Sequence, residues 1–327
     1  MICSLPKALR QFLIGCALIV FCTSCSFLPS LESSPWELVS IPTNATILDI
    51  AFSSPEHGWL TGTRSTLMET FDGGKSWEPR TLDLGDTDYR FDSVSFAGDD
   101  GWITGKPSIL LHTKDSGKSW SRVPLSAKLP GVPTMIVANA PGVAEMTTDV
   151  GAIYQTKDDG RNWSAMVQEA FGVLRNVSRG PDGTYVAVSS RGSFYSIWHP
   201  GETSWDPHNR NSSRRVQNMG FNPEGHLWML ARGGQIQFSN NENEWDEPMT
   251  PDRSVSVGLL DLAYRTPEEI WVAGGSGNLL CSFDGGKTWQ KDRGPADLPS
   301  NLYRVLFLSP DQGFVIGQSG TLLRYVG

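Results

Sequence analysis

Short runs of alternating apolar and polar residues, each cut off by a turn signal, fill the chain from about residue 36 to its end. The first full set spans residues 48–77. Leu48-Asp-Ile-Ala-Phe52 alternates with the two-residue period of a half-buried strand, and Ser54-Pro-Glu-His-Gly58 ends it with turn-forming residues. Trp59-Leu-Thr-Gly62 and Thr66-Leu-Met-Glu-Thr70 predict two more strands, and a fourth begins at Trp77. The stretch between the last two, Thr70-Phe-Asp-Gly-Gly-Lys-Ser-Trp77, returns at 113–120, 156–163 and 282–289 as Ser/Thr-x-Asp-x-Gly-x-x-Trp. The Asp carboxylate can accept hydrogen bonds from its own turn, and the Gly supplies a positive φ. The Trp opens the next strand with a large apolar ring.

Counting on that Trp gives Trp77, Trp120, Trp163, Trp205, Trp245 and Trp289, at spacings of 43, 43, 42, 40 and 44 residues. A period in the low forties with four short strands per unit predicts an all-β propeller. The last unit, Leu302 to Tyr325, stops after three strands. Trp36-Glu-Leu-Val39 lies 41 residues before Trp77 and supplies the missing outer strand. The expectation is therefore a seven-bladed β-propeller of four-stranded antiparallel blades over 36–327, closed by its N-terminal strand and left without an open edge. The motif resembles the Asp box of propellers such as sialidases. Asp72, Asp115, Asp158 and Asp284 are expected to form turns on the face opposite the usual binding entrance, and Trp77, Trp120, Trp163 and Trp289 to fill the core.

Charge and cysteines narrow the chemistry. Lys plus Arg number 27 against 35 acidic residues, a net charge of −8, so nucleic acid is an unfavourable partner. Four of the five cysteines, Cys3, Cys16, Cys22 and Cys25, fall within the first 25 residues, which leaves Cys281 alone in the body. That pattern excludes a disulfide framework and a cysteine metal site. The five histidines lack metal-ligand spacing, and neither a metal nor a cofactor is expected. Lys7 and Arg10 precede an apolar run from Phe12 to Phe21, too short to span a bilayer, which predicts a secretory signal over 1–24. Thr23-Ser24-Cys25 resembles a lipobox despite Cys22 at its −3 position, so Cys25 is the candidate lipidated N-terminus, followed by a tether over 25–35.

Function is sought where the repeat decays. Residues 198–205 and 238–245 keep the Trp and lose the box. Around them, between Arg161 and Lys287, every basic residue other than histidine is arginine. Arginine's planar fork suits carboxylate recognition. Arg175, Arg214 and Arg215 precede or begin inner strands, while Arg191 and Arg232 sit in turns between second and third strands. In a propeller those positions share one face. Arg179 falls where other units carry Phe52, Phe96, Phe221 or Phe307, a costly place unless it is paired or turned to the channel. Ion pairs with Asp182, Asp206, Glu202 or Glu224 are the plainer reading of these arginines.

A sialidase would need a Tyr nucleophile backed by an acid. The spacing reveals no such pair, and there is neither a nucleophile elbow nor a phosphate loop. The whole mature chain, with the lipobox, the Asp-Gly-Gly-Lys-Ser/Thr-Trp repeats and Ser213-Arg-Arg-Val-Gln-Asn-Met-Gly-Phe221, resembles the photosystem II assembly and stability factors of cyanobacteria and chloroplasts. That resemblance implies a non-enzymatic chaperone, monomeric and lipid-anchored on the lumenal side of the thylakoid membrane. Its partners would be newly made D1, its precursor and early reaction-centre intermediates. On this view Arg175, Arg179, Arg191, Arg214, Arg215 and Arg232 form the D1-binding patch. An extracytoplasmic glycan-binding or sialidase-like propeller is the alternative.

Overall fold

The computed structural model describes residues 28–210, 212–251, 258–295 and 298–327; the leader, Cys25 and Arg253 lie outside them. Seven antiparallel sheets follow one another along the chain. Blade 1 consists of Ile47–Phe52, Gly58–Gly62, Leu67–Thr70 and Glu78–Pro79, from inner to outer strand. Blades 2, 3 and 4 open with the inner strands Arg90–Ala97, Pro133–Ala140 and Leu174–Arg179. Blades 5 and 6 open with Val216–Phe221 and Leu259–Tyr264, and blade 7 with Leu302–Ser309. In blade 7 the outer strand is Trp36–Leu38, which pairs with Leu322–Tyr325 in the register Trp36 to Tyr325 and Leu38 to Leu323. The ring closes through the two ends of the chain.

Among the described residues six blades have four strands and blade 5 has three. There the outer position is held by a bridge from Ile236 to Met249 and another from Ser239 to Trp245. The box that the sequence shows as lost survives in altered form. Asn241 accepts the backbone N–H groups of Asn243 and Glu244, at 3.0 and 2.9 Å, an Asx turn in which an amide oxygen replaces the carboxylate.

In the intact boxes the Asp carboxylate gathers the donors of its own turn. Asp72 accepts the N–H groups of Lys75 and Ser76 at 2.9 Å, the Ser76 hydroxyl at 2.6 Å and the Thr70 hydroxyl at 2.8 Å. Asp284 repeats this arrangement. In blades 2 and 3 the N–H of Lys118 and Arg161 goes instead to the Asp115 and Asp158 backbone carbonyls, and in blade 3 Asn162 replaces the hydroxyl donor. The turns dock on the hairpin between the first and second strands of their own blade: Gly73 N–H donates to Glu56 and Gly285 N–H to Glu268. Boxes and first hairpins thus share one face of the disc. The loops entering the inner strands meet the second-to-third-strand turns on the other, as in Ser190 N–H to Val173 and Arg232 N–H to Arg215. Between blades a box Trp meets the second-strand Trp of its neighbour edge to face, for example Trp120 with Trp59 at 5.7 Å.

Residues 28–35, expected as a tether, instead lie on the edge of blade 6. Leu31 N–H donates to the Lys291 carbonyl, Ser34 bonds Asp292 at 2.7 Å, and Leu28 packs on a core that includes Trp289. The outer strand Gln290–Asp292 has a free edge, and an extended segment with apolar residues at 28 and 31 covers it.

Trp36 is buried at the seam, with its ring 5.3 Å from Trp271 and 5.2 Å from Tyr325. Trp36→Ala should cost about 3–5 kcal/mol, read as a lower denaturant midpoint in chemical unfolding. Hydrogen bonds from Ser119 and Thr288 hold Asp115 and Asp284 at about 2, below their ordinary 3.8. Carboxylates lowered by folding stabilise the native state above about pH 4, and that contribution disappears as the pH falls through about 2. Asp115→Asn should therefore flatten the acid limb of the melting temperature against pH.

Candidate functional site

Each inner strand contains a bulge at the same point, leaving Leu48, Asp92, Thr134, Arg175, Gln217, Leu260 and Tyr303 outside the register. A bulge re-aims the extra side chain. In blades 4 and 5 the re-aimed residues bond to each other, with Arg175 donating to the Gln217 side chain at 3.1 Å and to the Ser190 carbonyl at 3.0 Å. Ser190 adjoins Arg191. The backbone joins the rest, since Arg232 N–H donates to Arg215 at 2.8 Å and Val216 N–H to Gly192 at 2.9 Å. A Cβ at Gly192 would stand 2.4 Å from the Val216 carbonyl, so only glycine allows this approach. Arg210, half-buried, donates to the Arg214 carbonyl at 2.6 Å and supports that loop.

Arg175, Arg191, Arg214, Arg215 and Arg232 are thus gathered, all exposed, on the face opposite the Asp boxes. Among the described residues none of the five forms an ion pair, whereas Arg179 and Arg265 do. The expected partners Asp182, Asp206, Glu202 and Glu224 do not neutralise this face.

Arg179 stands apart from it. It ends the inner strand that Arg175 nearly begins, Leu174–Arg179, and it pairs in register with Tyr185 next to the first hairpin. Four residues of strand separate the two by about 13 Å. Its guanidinium lies 2.8 Å from Glu145 of blade 3, which also takes the Tyr185 hydroxyl at 2.8 Å and the Asn139 amide at 3.0 Å. Glu145 occupies the second-strand place that Trp59 and Trp102 hold in blades 1 and 2. Between blades 3 and 4, an acid and an arginine therefore replace the aromatic pair of other junctions. Burial works to raise the Glu145 carboxyl, but the bonds from Arg179 and Tyr185 hold it below its ordinary value. Glu145 was not legible from its own motif; its departure from Trp in the aligned repeats was the available signal.

This cluster also bears on catalysis, because Tyr185 and Glu145 form the Tyr–acid pair that spacing did not reveal. Tyr185 is fully buried, and that burial, with Glu145 beside it, pushes its phenol well above the ordinary range. A nucleophile needs the opposite shift. The pair stands at the Asp-box end, away from the five-arginine face.

A central channel of about 1000 Å³ runs between the inner strands. Its polar residues tie blade to blade. Asp49 accepts Val94 N–H at 3.0 Å and pairs with Arg304, Asp261 accepts Val305 N–H at 3.0 Å, and Asn218 donates to Asp261 at 2.9 Å. Asp100, His112 and Asp159 gather within 4.8 Å. Each is already engaged: Asp100 with Trp102 at 2.8 Å and His112 at 2.9 Å, and Asp159 with Lys114 at 2.8 Å. An ammonium group supplies the charge a cation would bring.

Fold and site together define an Asp-box β-propeller with one cationic face. Residues 28–326 match the family model described as photosynthesis system II assembly factor YCF48, and the chain belongs to that family. It is 60% identical over 322 residues to the photosystem II assembly lipoprotein Ycf48 of Trichormus variabilis, covering 98% of this chain and 95% of that one. To the photosystem II assembly protein Ycf48 of Thermosynechococcus vestitus it is 59% identical over 301 residues, covering 91% and 87%. A solved structure described as YCF48 bound to D1 peptide superposes with a TM-score of 0.90 at 59% identity, covering 92% of this chain and all of that one.

Arg179→Met leaves Glu145 without its cation and should destabilise the fold by about 2 kcal/mol, less than a fully buried pair would lose. Glu145→Met/Arg179→Met together should cost less than the sum of the single changes. A double-mutant cycle in chemical denaturation reads the coupling.

Proposed function

We propose that this protein is a non-enzymatic assembly factor of photosystem II that captures the newly made D1 subunit, as precursor, through its five-arginine face. It would act at the lumenal side of the thylakoid membrane as a lipid-anchored monomer, during reaction-centre assembly and repair. The observation that carries this reading is the gathering of Arg175, Arg191, Arg214, Arg215 and Arg232 without carboxylate partners among the described residues. Family membership supports it, as does the relative described as bound to a D1 peptide.

The chemistry is docking. Guanidinium forks meet the carboxylates of an extended acidic tail, two N–H groups to each. The surrounding molecule is acidic, at −8 overall. The face therefore steers and orients an anionic segment more than it tightens the complex, and salt screens it. Arg179 has no part in this contact, because its charge is already spent on Glu145.

Arg191→Glu/Arg214→Glu/Arg215→Glu should weaken binding of a peptide from the D1 C-terminus by tenfold or more, on the order expected from reversing several charges. Titration calorimetry at low and high salt checks this, with wild-type affinity falling as salt rises. Unchanged affinity in a folded triple variant would remove the face from the mechanism.

A further inference from the structure

We propose that the Asp-box face of blades 6, 7 and 1 rests on the surface of a lipid bilayer, turning the arginine face away from the membrane that anchors the chain. The proposal builds on the reading of Cys25 as a lipidated N-terminus and adds an orientation to it.

The first observation is an arc of exposed apolar side chains. Phe283 of blade 6 is 48% exposed, Leu308 and Val326 of blade 7 are 43% and 50%, and Phe71 of blade 1 is 60%. All four lie on the Asp-box side, and hydrogen bonds link the loops that hold them. Gly285 N–H donates to Glu268, Arg265 to the Pro310 carbonyl at 2.7 Å, Gln312 to the Pro55 carbonyl at 3.0 Å, and Gly73 N–H to Glu56. Phe71 is held in place by stacking on His57 at 4.7 Å.

The box itself does not require these rings. Phe71 and Phe283 occupy the second box position, where blades 2 and 3 carry the exposed Lys114 and Lys157 on the same turn geometry. Phenylalanine therefore appears in blades 6 and 1, on either side of blade 7, and lysine in blades 2 and 3. Exposed aromatic and leucine side chains beside a lipid attachment are the composition of an interfacial anchor.

The second observation is the path of the N-terminal segment. Leu28 packs on the same buried cluster as Phe238, Met249 and Tyr264. Tyr264 and Phe238 end strands that run toward the Asp-box face. Ser30 then bridges Lys291 in parallel with an outer strand leaving that face. The chain thus enters the ring from the Asp-box side, at blades 5 and 6. Cys25 precedes Leu28 by three residues, a reach of at most about 10 Å. The six-residue inner strands alone make the disc about 20 Å thick. An acyl chain on Cys25 cannot carry the arginine face flat onto the same bilayer. Glu56, Glu268 and Asp311 border the arc together with Lys75 and Lys287, so its charge is mixed and suits zwitterionic headgroups.

The test reconstitutes the full chain, purified with its leader processed, into phosphatidylcholine vesicles containing brominated acyl chains. An environment-sensitive thiol dye is placed at Phe283→Cys in one variant and Ser190→Cys in the other. Cys281 is buried, its thiol pushed up to about 12, and does not compete for the dye. Mass measurement of the N-terminal peptide reports separately whether Cys25 carries acyl groups. The expected result is dye quenching at 283 several-fold stronger than at 190. Equal or stronger quenching at 190 overturns the orientation, and no quenching at either site in an acylated chain overturns the apolar contact. Quenching at 283 in a chain without acyl groups upholds the surface and removes the lipid reading instead. Phe71→Ser/Phe283→Ser in a Cys25→Ser background should lower vesicle partitioning by about tenfold, and a folded variant that partitions unchanged also overturns the proposal.

Discussion

Sheets arranged in a ring bury their faces only against one another, so the seam between first and last governs the rest. Here the seam is three residue pairs between Trp36–Leu38 and the strand ending at Tyr325. Three pairs of backbone bonds are weak on their own. The aromatic rings of Trp36, Trp271, Tyr325 and Phe307 make them strong enough by meeting edge to face across blades 6 and 7. Closing the ring from both termini couples the ends of the chain and gives blade 7 the outer strand it would otherwise lack.

Given a closed ring, the inner strands settle where function can sit. Their shared bulge leaves a side chain on the face opposite the boxes and frees backbone N–H groups toward the channel. Asp49 and Asp261 take up such groups from the next blade. In blades 4 and 5 the same bulge aims Arg175 and Gln217 at each other and pins the loop of Arg191 through Ser190. The arginine face is a by-product of scaffold geometry, and its five arginines without ion pairs gather in blades 4 and 5, where the box has drifted. The two faces therefore carry separate demands, one for turn formation and one for recognition, and each can change without unfolding the other.

The junction of blades 3 and 4 shows what that freedom costs. Arg179 and Glu145 replace an aromatic contact with a partly buried ion pair, and Tyr185 and Asn139 complete its hydrogen bonds. Such a pair breaks about even against apolar packing when fully satisfied. Neither residue could change alone, because the remaining charge would be left without a partner. The exchange makes sense only as a unit.

The sequence by itself determined the blade count, the closure and the turn chemistry. These depend on local patterns, a Trp about every 43 residues and an Asp–Gly turn, which act within one hairpin whatever surrounds them. It also placed Arg175, Arg191, Arg214, Arg215 and Arg232 on one face, since strand order alone fixes which loops share an end. Tertiary structure decided the rest. Arg179 left the group because its partner Glu145 comes from another blade, 34 residues away in the chain. Residues 28–35 proved to be a bound edge, because the strand they cover lies more than 250 residues later. Asn241 kept a turn alive that the motif had given up. For Arg179 and for residues 28–35 the deciding contact joined residues far apart in sequence, where no periodicity could register it. Asn241, by contrast, acts within its own turn through an amide the motif does not spell.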